Sequence, residues 1–361
     1  MTDDAPVRRW GVVIVNYNAA QLALDAALSV LGDAPDTQIV IVDNASTNNS
    51  LDVFSDAFES GERITITPPG LDSAFKPHFA DLCDIEAAII ECGETSGPHL
   101  ERLGRENAFA LTVLRAPQNN GFAAGSNIGL RYLKARGGHS HYLLLNPDAL
   151  VAPGALERLA RVLEDKEIGL CGATVLRANT PARVQALGGA ALNPVTLTGS
   201  NLGEDAIFPL IPERSAIEPQ IMYPLGAAIA LRPDYLENVG FLDERYFLYY
   251  EEADWALSGR GRYRCGWARD AVVFHHYGAS SDSAFRSAGE PSQRSLLSEY
   301  HMARSRLLFA LKWRPWLAPL TVAIAGLQAL RRVFRGRADA ARALIKGAVP
   351  GAPRLYVAPP V

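Results

Sequence analysis

The chain is short of several features that sort proteins into classes. Its 361 residues include only four cysteines, Cys83, Cys92, Cys171 and Cys265. None has the Cys-x-x-Cys pairing of a zinc or redox site, so a reduced, cytosolic setting is expected. No run reaches the roughly 18 to 20 apolar residues of a confident membrane span. The polar, acidic start from Met1 to Trp10 lacks the basic flank and apolar stretch of a secretion signal. Positive charge is not in excess, since 35 Lys+Arg against 39 Asp+Glu leave a formal net charge of -4, which argues against nucleic acid as a partner. The stretch from Ser60 to Glu106 has no repeat or low-complexity character. The glycines between Gly121 and Gly129 follow neither the P-loop nor the dinucleotide fingerprint, which counts against a kinase or a dehydrogenase. A content of 48% hydrophobic and 20% charged residues is ordinary globular usage, and the length suits one large core or two smaller ones.

What is present begins with His141-Tyr142-Leu143-Leu144-Leu145-Asn146-Pro147-Asp148-Ala149. A short apolar run stopped by a breaker reads as a buried strand. Asp148 should therefore project from a central strand end, where ligands bind in open α/β sheets. Pro147 fixes its own φ and pushes Asn146 towards an extended conformation, which holds the two polar side chains in a defined relation. A hard divalent cation wants a carboxylate placed in this way, although a plain strand-to-turn exit uses the same residue types. The first fifty residues repeat the pattern. Trp10 to Asn18 is an apolar strand ending in Asn16 and Asn18, Gln21 to Leu31 has helical spacing, and Gln38 to Ser46 is a second apolar strand ending in Asp43 and Asn44. Strand, helix and strand make a βαβ unit with a parallel pair, so these polar ends share an edge that Asp148 joins later.

Between Ser60 and Glu106 the pattern is lost. Several prolines and glycines surround one expected helix, Phe79 to Cys92, and a loop this long in a compact domain is functional or mobile. His78, Cys83, Cys92 and His99 lie there without the spacing of a metal template. Leu111 to Leu114 reads as a short strand, followed by Asn119-Asn120-Gly121-Phe122-Ala123-Ala124-Gly125-Ser126-Asn127. The small residues there permit close approach of a ligand to the backbone, and the start of the next helix offers free amides. Pro224 to Arg232 reads as a small-residue strand in which Gly226 and Ala227 would let a ligand lie against backbone. Leu248 to Ala256 sets Glu251, Glu252 and Asp254 after an aromatic run. On a helix Glu251 and Asp254 share roughly one face while Glu252 points away; an acidic helix start favoured by the dipole is the plainer reading. Ala271 to Ser280 reads as a strand ending in His275 and His276.

The tail differs from the rest. From Arg304 to Lys346 ten basic residues stand against one acid, Asp339. An amphipathic pattern runs from Glu299 through Leu311. Trp313, Trp316, Leu317 and Leu320 to Leu330 then form an apolar stretch of about fifteen residues before Arg331 and Arg332, short for a span but basic and tryptophan-flanked, as an interfacial helix should be. Attachment to a membrane surface is expected; helices packed on the main domain or forming an oligomer interface are the alternative.

Val13 to Asn18, Ile41 to Ser46, Asn120 to Asn127 and Leu145 to Asp148, in this order, resemble the successive motifs of family 2 glycosyltransferases with the GT-A fold. Within that family they most resemble bacterial rhamnosyltransferases of cell-surface polysaccharide synthesis. The resemblance covers about Trp10 to Trp313 apart from Ser60 to Glu106. It implies an α/β fold, a Rossmann-like, mostly parallel mixed sheet flanked by helices, over residues 1–300 with an insertion at about 60–106. A basic helical region over 301–361 completes the expected organisation.

By that resemblance Asp43 would hydrogen-bond the base of a nucleotide sugar. Asn16, Asn18, Asn44, Asn120, Gly121, Phe122, Asn127 and Gly226 would line the donor. Asn146 and Asp148 would occupy the Asp-x-Asp metal motif; with Asn in first place, Asp148 is the firmer ligand and Asn146 turns to donor sugar or ribose. Glu251-Glu252 is similar to the family's Glu-Asp motif, whose second residue is the base, which puts Glu252 first and Asp254 second. His275 fits the His-x-x-Gly-x-Ser pattern with Gly278 and Ser280 and would join Asp148 on Mn2+ or Mg2+; imidazole suits Mn2+ better. Inverting displacement of a nucleoside diphosphate needs both a carboxylate base and a cation on the leaving group, and clustered carboxylates raise one another's pKa. The implied donor is dTDP-L-rhamnose and the acceptor a polysaccharide or lipid-linked glycan, with the protein peripheral on the inner face of the cytoplasmic membrane. A galactofuranosyl or other hexosyl transferase using a UDP-sugar, and a catalytically silent carbohydrate-binding or scaffolding relative, remain as alternatives. A homo-oligomer stays open.

Overall fold

The computed structural model describes residues 9–62, 75–93, 97–107, 109–276 and 295–355. Strand β1 (Trp10–Asn16), helix α1 (Ala20–Asp33) and strand β2 (Gln38–Asp43) form the expected βαβ unit. The two strands pair in parallel with Asn16 opposite Asp43. Every residue of both is buried, as is usual where helices cover both faces of a parallel sheet. Helix α2 (Ser50–Ser60) stops at Gly61, whose φ of 71° is the left-handed conformation that glycine adopts cheaply.

The helix expected from Phe79 to Cys92 is not there. A single 3-10 turn at Leu82–Asp84 leads instead into an edge strand, β3 (Ala87–Glu91). Helix α3 (Gly97–Glu106) and strand β4 (Leu111–Arg115) come next, and β3 pairs in parallel with β4. The β-branched Ile89 and Ile90 gain a ladder there, and tertiary pairing of this kind overrides a weak helical pattern. Helix α4 (Phe122–Arg136) lies on β1. The smallness of Gly125 and Gly129 serves this packing rather than a ligand, because a Cβ at either would meet Val15 at 2.7 Å or Val13 at 2.4 Å.

Strand β5 (His141–Leu145) pairs in parallel with the other side of β1. Strand β6 (Ala149–Val151) and helix α5 (Ala155–Leu163) follow, and the Asp33 carboxylate at the end of α1 accepts from the Gly154 and Leu156 amides to staple the two helices. Then come β7 (Ile168–Arg177), β8 (Thr180–Leu187), β9 (Gly189–Leu192), β10 (Gly199–Asn201), α6 (Arg214–Ile217), β11 (Tyr223–Pro224), β12 (Ala228–Leu231), α7 (Pro233–Asn238), α8 (Glu251–Ser258) and β13 (Arg264–His275). The main sheet runs β3-β4-β2-β1-β5-β12-β7-β13-β6, with β8 on β7; β10, β9 and β11 form a small second sheet. The five strands from β3 to β5 are parallel, β12 is antiparallel to both neighbours, and β13 is parallel to β7. The fold is thus α/β, a mostly parallel mixed sheet between helical layers. One core lies under α1, α2 and α5, the other under α4 and the buried Tyr235 and Trp255.

Helices α9 (Leu296–Trp313), α10 (Ala318–Phe334) and α11 (Ala338–Gly347) close the chain. Ala303, Ala325, Ala329, Ala341 and Leu344 let the three pack closely together. The helical stretch Pro315–Phe334, with a mean hydropathy of 1.3, is long and apolar enough to cross a membrane, and 17% of its apolar window is buried. The uninterrupted apolar run still falls short of that length, because Arg331 and Arg332 stop it, and the stretch passes by its average composition.

Candidate functional site

Strand polarity gathers the predicted residues. The ends of β1, β2, β5 and β13 and the start of the antiparallel β12 all emerge at one sheet edge, carrying Asn16, Asp43, Asn146, His275 and Gly226. Asp43 is buried, and its Oδ1 accepts from Asn16 Nδ2 at 2.7 Å and Ser46 Oγ at 2.5 Å, while Oδ2 accepts from the Ser46 amide at 3.2 Å. Asn18 is exposed at φ 60°, and its side-chain oxygen accepts from the Thr47 and Asn48 amides. Asn44 donates to Asn119 Oδ1 at 2.9 Å and to the Gly121 carbonyl at 3.1 Å, fastening the two loops. Phe122 N donates to the Phe247 carbonyl, and a Cβ on Gly121 would collide with that same carbonyl. Asn120, half-buried, accepts from Gln118.

Asp148 and His275 meet at the centre of this edge. His275 Nε2 lies 3.2 Å from Asp148 Oδ1 and 3.2 Å from Asn146 Nδ2. Asp148 is 1% exposed, and apart from that imidazole neither carboxylate oxygen has a hydrogen-bond partner among the described residues. Burial works to raise the Asp148 pKa, but His275, a backbone amide and His276 together outweigh it and hold the carboxyl below its ordinary value. Burial pushes neighbouring His276 down; its amide donates to the Asp148 carbonyl. An orphaned buried carboxylate beside an imidazole nitrogen fits a divalent cation. The described residues hold no cluster of three or more His, Cys, Asp or Glu ligands. Mg2+ and Mn2+ sites with one or two protein ligands take the remainder from phosphate oxygens and water. Gly278 and Ser280 of the His-x-x-Gly-x-Ser pattern lie outside the described residues.

The acidic pair stands one strand away. The Asn146 amide donates to the Ala227 carbonyl at 3.0 Å, and a Cβ on neighbouring Gly226 would lie 2.4 Å from Glu252 Oε1. Gly226, expected to let a ligand lie on backbone, therefore clears room for the Glu252 carboxylate. Tyr249 and Tyr250, at φ 69° and 70°, enter α8 in left-handed conformations, and strain of this kind gathers at functional sites. Burial raises the Glu252 pKa to about 7. Burial, with Glu252 beside it, raises Glu251 well above the usual carboxylate range, and Glu251 Oε2 is buried with no hydrogen-bond partner among the described residues.

Two predicted residues are engaged with the protein itself. Asn127 Nδ2 donates to the Leu242 carbonyl and to Glu244, and its Oδ1 accepts from the Leu242 amide. Asp254 accepts from Lys312 Nζ at 2.7 Å, Trp313 Nε1 at 2.7 Å and Tyr246 Oη at 3.2 Å. That knot ties α8 to α9. Sequence reasoning missed Ser46 on Asp43, Gln185 on His275 at 2.9 Å, and α9 as the support of the 243–254 segment. A serine three residues after Asp43 was a readable turn signal; Gln185 and α9 left none.

No family model matches the chain. A low-salt glycan biosynthesis hexosyltransferase of Haloferax volcanii is 22% identical over 143 residues, 39% of this chain and 44% of its own. The chain thus matches less than half the length of that relative. Similar solved structures include a mannosyltransferase from Pyrobaculum calidifontis in complex with GDP-Man and Mn2+, at TM-score 0.47 and 15% identity over 94% of this chain and 85% of its own. GalNAc-T7 with UDP, GalNAc and Mn2+ has TM-score 0.49 and 15% identity over 78% and 45%. The S. aureus TarS 1-349 structure has TM-score 0.41 and 12% identity over 83% and 64%.

Proposed function

We propose that the protein is an inverting, metal-dependent glycosyltransferase of the GT-A type that moves a sugar from a nucleotide donor to a glycan acceptor. The observation carrying this reading is the juxtaposition, at one sheet edge, of the Asp148–His275 pair and the half-buried Glu252 carboxylate with its raised pKa. Asp148 and His275 would hold Mn2+ or Mg2+, which when bound neutralises the departing diphosphate. Glu252 takes the acceptor hydroxyl proton as the oxygen bonds to the anomeric carbon. The carbon–oxygen bond to the diphosphate breaks, and its electron pair leaves with the nucleoside diphosphate. Asp43, held by Asn16 and Ser46, receives the base, and the loops fastened by Asn44 flank the donor.

The order of the sequence motifs supports family 2, and the resemblance to bacterial rhamnosyltransferases alone supports dTDP-L-rhamnose as donor. The Haloferax relative, a hexosyltransferase, supports another hexosyl donor as the second reading. Helix α10 and the turn before it support action at a membrane surface on a polysaccharide or lipid-linked acceptor, because Leu327, Leu330 and Phe334 on the helix and Trp316 in the turn are exposed. The test is a screen of dTDP-rhamnose and UDP-sugars for Mn2+-dependent binding and slow hydrolysis. Turnover of dTDP-rhamnose that Asp148→Ala abolishes is expected. Turnover of a UDP-sugar alone overturns the donor, and binding without turnover of any sugar overturns the enzyme in favour of a silent carbohydrate-binding relative.

A further inference from the structure

His275 has an unpredicted partner on the side away from Asp148. Gln185, on β8 between Val184 and Ala186, is 2% exposed, and its Oε1 lies 2.9 Å from His275 Nδ1. An amide oxygen only accepts, so Nδ1 carries a ring hydrogen, and Nε2 is the nitrogen left to face Asp148 and a cation. The other contact agrees, because Asn146 Nδ2 can only donate and lies 3.2 Å from that Nε2. The opposite tautomer would aim an N–H at Asp148 Oδ1, 3.2 Å away, and would close the pair to a cation.

We infer that Gln185 is a positioning residue that fixes the tautomer of His275, so that Nε2 and Asp148 together face a divalent cation while Asn146 Nδ2 occupies the Nε2 lone pair in the metal-free state. Cation entry is then an exchange of one hydrogen bond for one coordination bond. The inference rests on the cation site proposed above. Partners of this kind, on the far nitrogen of a ligating histidine, typically change metal affinity 10–100-fold when removed.

The experiment measures two quantities on the full chain: the 15N shifts of the His275 ring in histidine-labelled protein, and Mn2+ binding by electron paramagnetic resonance. Wild type should show the hydrogen on Nδ1. Gln185→Leu should lose that preference and bind Mn2+ roughly 10–100-fold more weakly. Gln185→Glu keeps an acceptor and should retain both properties, which separates positioning from a folding defect. An unchanged tautomer in Gln185→Leu overturns the role of Gln185. Wild-type Mn2+ binding no tighter than that of Asp148→Ala overturns the cation site, while the 15N shifts still decide which nitrogen Gln185 holds.

Discussion

A side chain at position 226 would strike Glu252 Oε1, so the glycine there makes room for the carboxylate next to Ala227, whose carbonyl accepts from the Asn146 amide. Burial raises the Glu252 pKa to about 7, and a base must be ionised to accept a proton. Activity should therefore rise with pH and level off above about 7. Glu252→Gln should lower kcat by roughly 10²- to 10⁴-fold. A pH–rate profile in which wild type stays flat from pH 5 to 8 would contradict the assignment. The same shift affects stability. Glu252 binds its proton more tightly folded than unfolded, so its contribution favours the fold below the ordinary value of 4.5 and is lost as pH rises to about 7. Glu252→Gln should flatten that decline in a denaturant titration. Asp148 and Glu252 were legible as candidates because a carboxylate behind a strand-ending proline, or in an acidic pair after aromatics, is an uncommon pattern. Asn127 and Asp254 have the same residue types, but whether an amide or acid at a helix start holds protein or ligand depends on what packs opposite.

Helix α9 shows how an element read as a tail supports the site. Lys312 and Trp313 hold Asp254, Ser305 donates to the Leu248 carbonyl, and His301 stacks on Phe247 with ring centroids 4.4 Å apart. These contacts fasten the segment that delivers Glu251 and Glu252. Asp254→Ala leaves Lys312 and the indole N–H without their buried partner, at a cost of roughly 2–4 kcal/mol. Equilibrium urea unfolding measures it, and a change below about 0.5 kcal/mol, the size of an ordinary surface substitution, would show the knot to be energetically idle. The amphipathic pattern from Glu299 to Leu311 predicted a helix here. Its partner could not be read, because the buried stripe matches a segment nearly sixty residues earlier.

Over the whole molecule, the structure divides the basic tail. Arg304, Arg306, Lys312, Arg332 and Arg337 bind carbonyls, Tyr250, Asp254 and Glu299 inside the protein. Arg314, Arg331, Arg335, Arg342 and Lys346 remain exposed, and Trp316, in the turn before α10, with Leu320, Leu327, Leu330 and Phe334 on it, leaves exposed apolar side chains at helical spacing. An apolar face bordered by cations is complementary to an anionic bilayer surface. The protein should sediment with anionic vesicles in a salt-sensitive manner, and the double substitution Leu327→Glu and Phe334→Glu should release it. Equal binding to neutral vesicles, or concentration-dependent dimerisation that the same substitutions abolish, would assign that face to another occupant.

The sequence by itself determined the βαβ start, the strand ends carrying Asn16, Asp43 and Asp148, and the acidic pair, because these depend on local periodicity and breakers within a few residues. The tertiary structure decided the edge strand Ala87–Glu91, the use of Gly125 and Gly129 for packing, the knot at Asp254 and the grip of Gln185 on His275. Each of these is a pairing between segments far apart in the chain. A side chain's chemistry is written in its own residue, but its partner is set only when the sheet and helices bring two distant segments together.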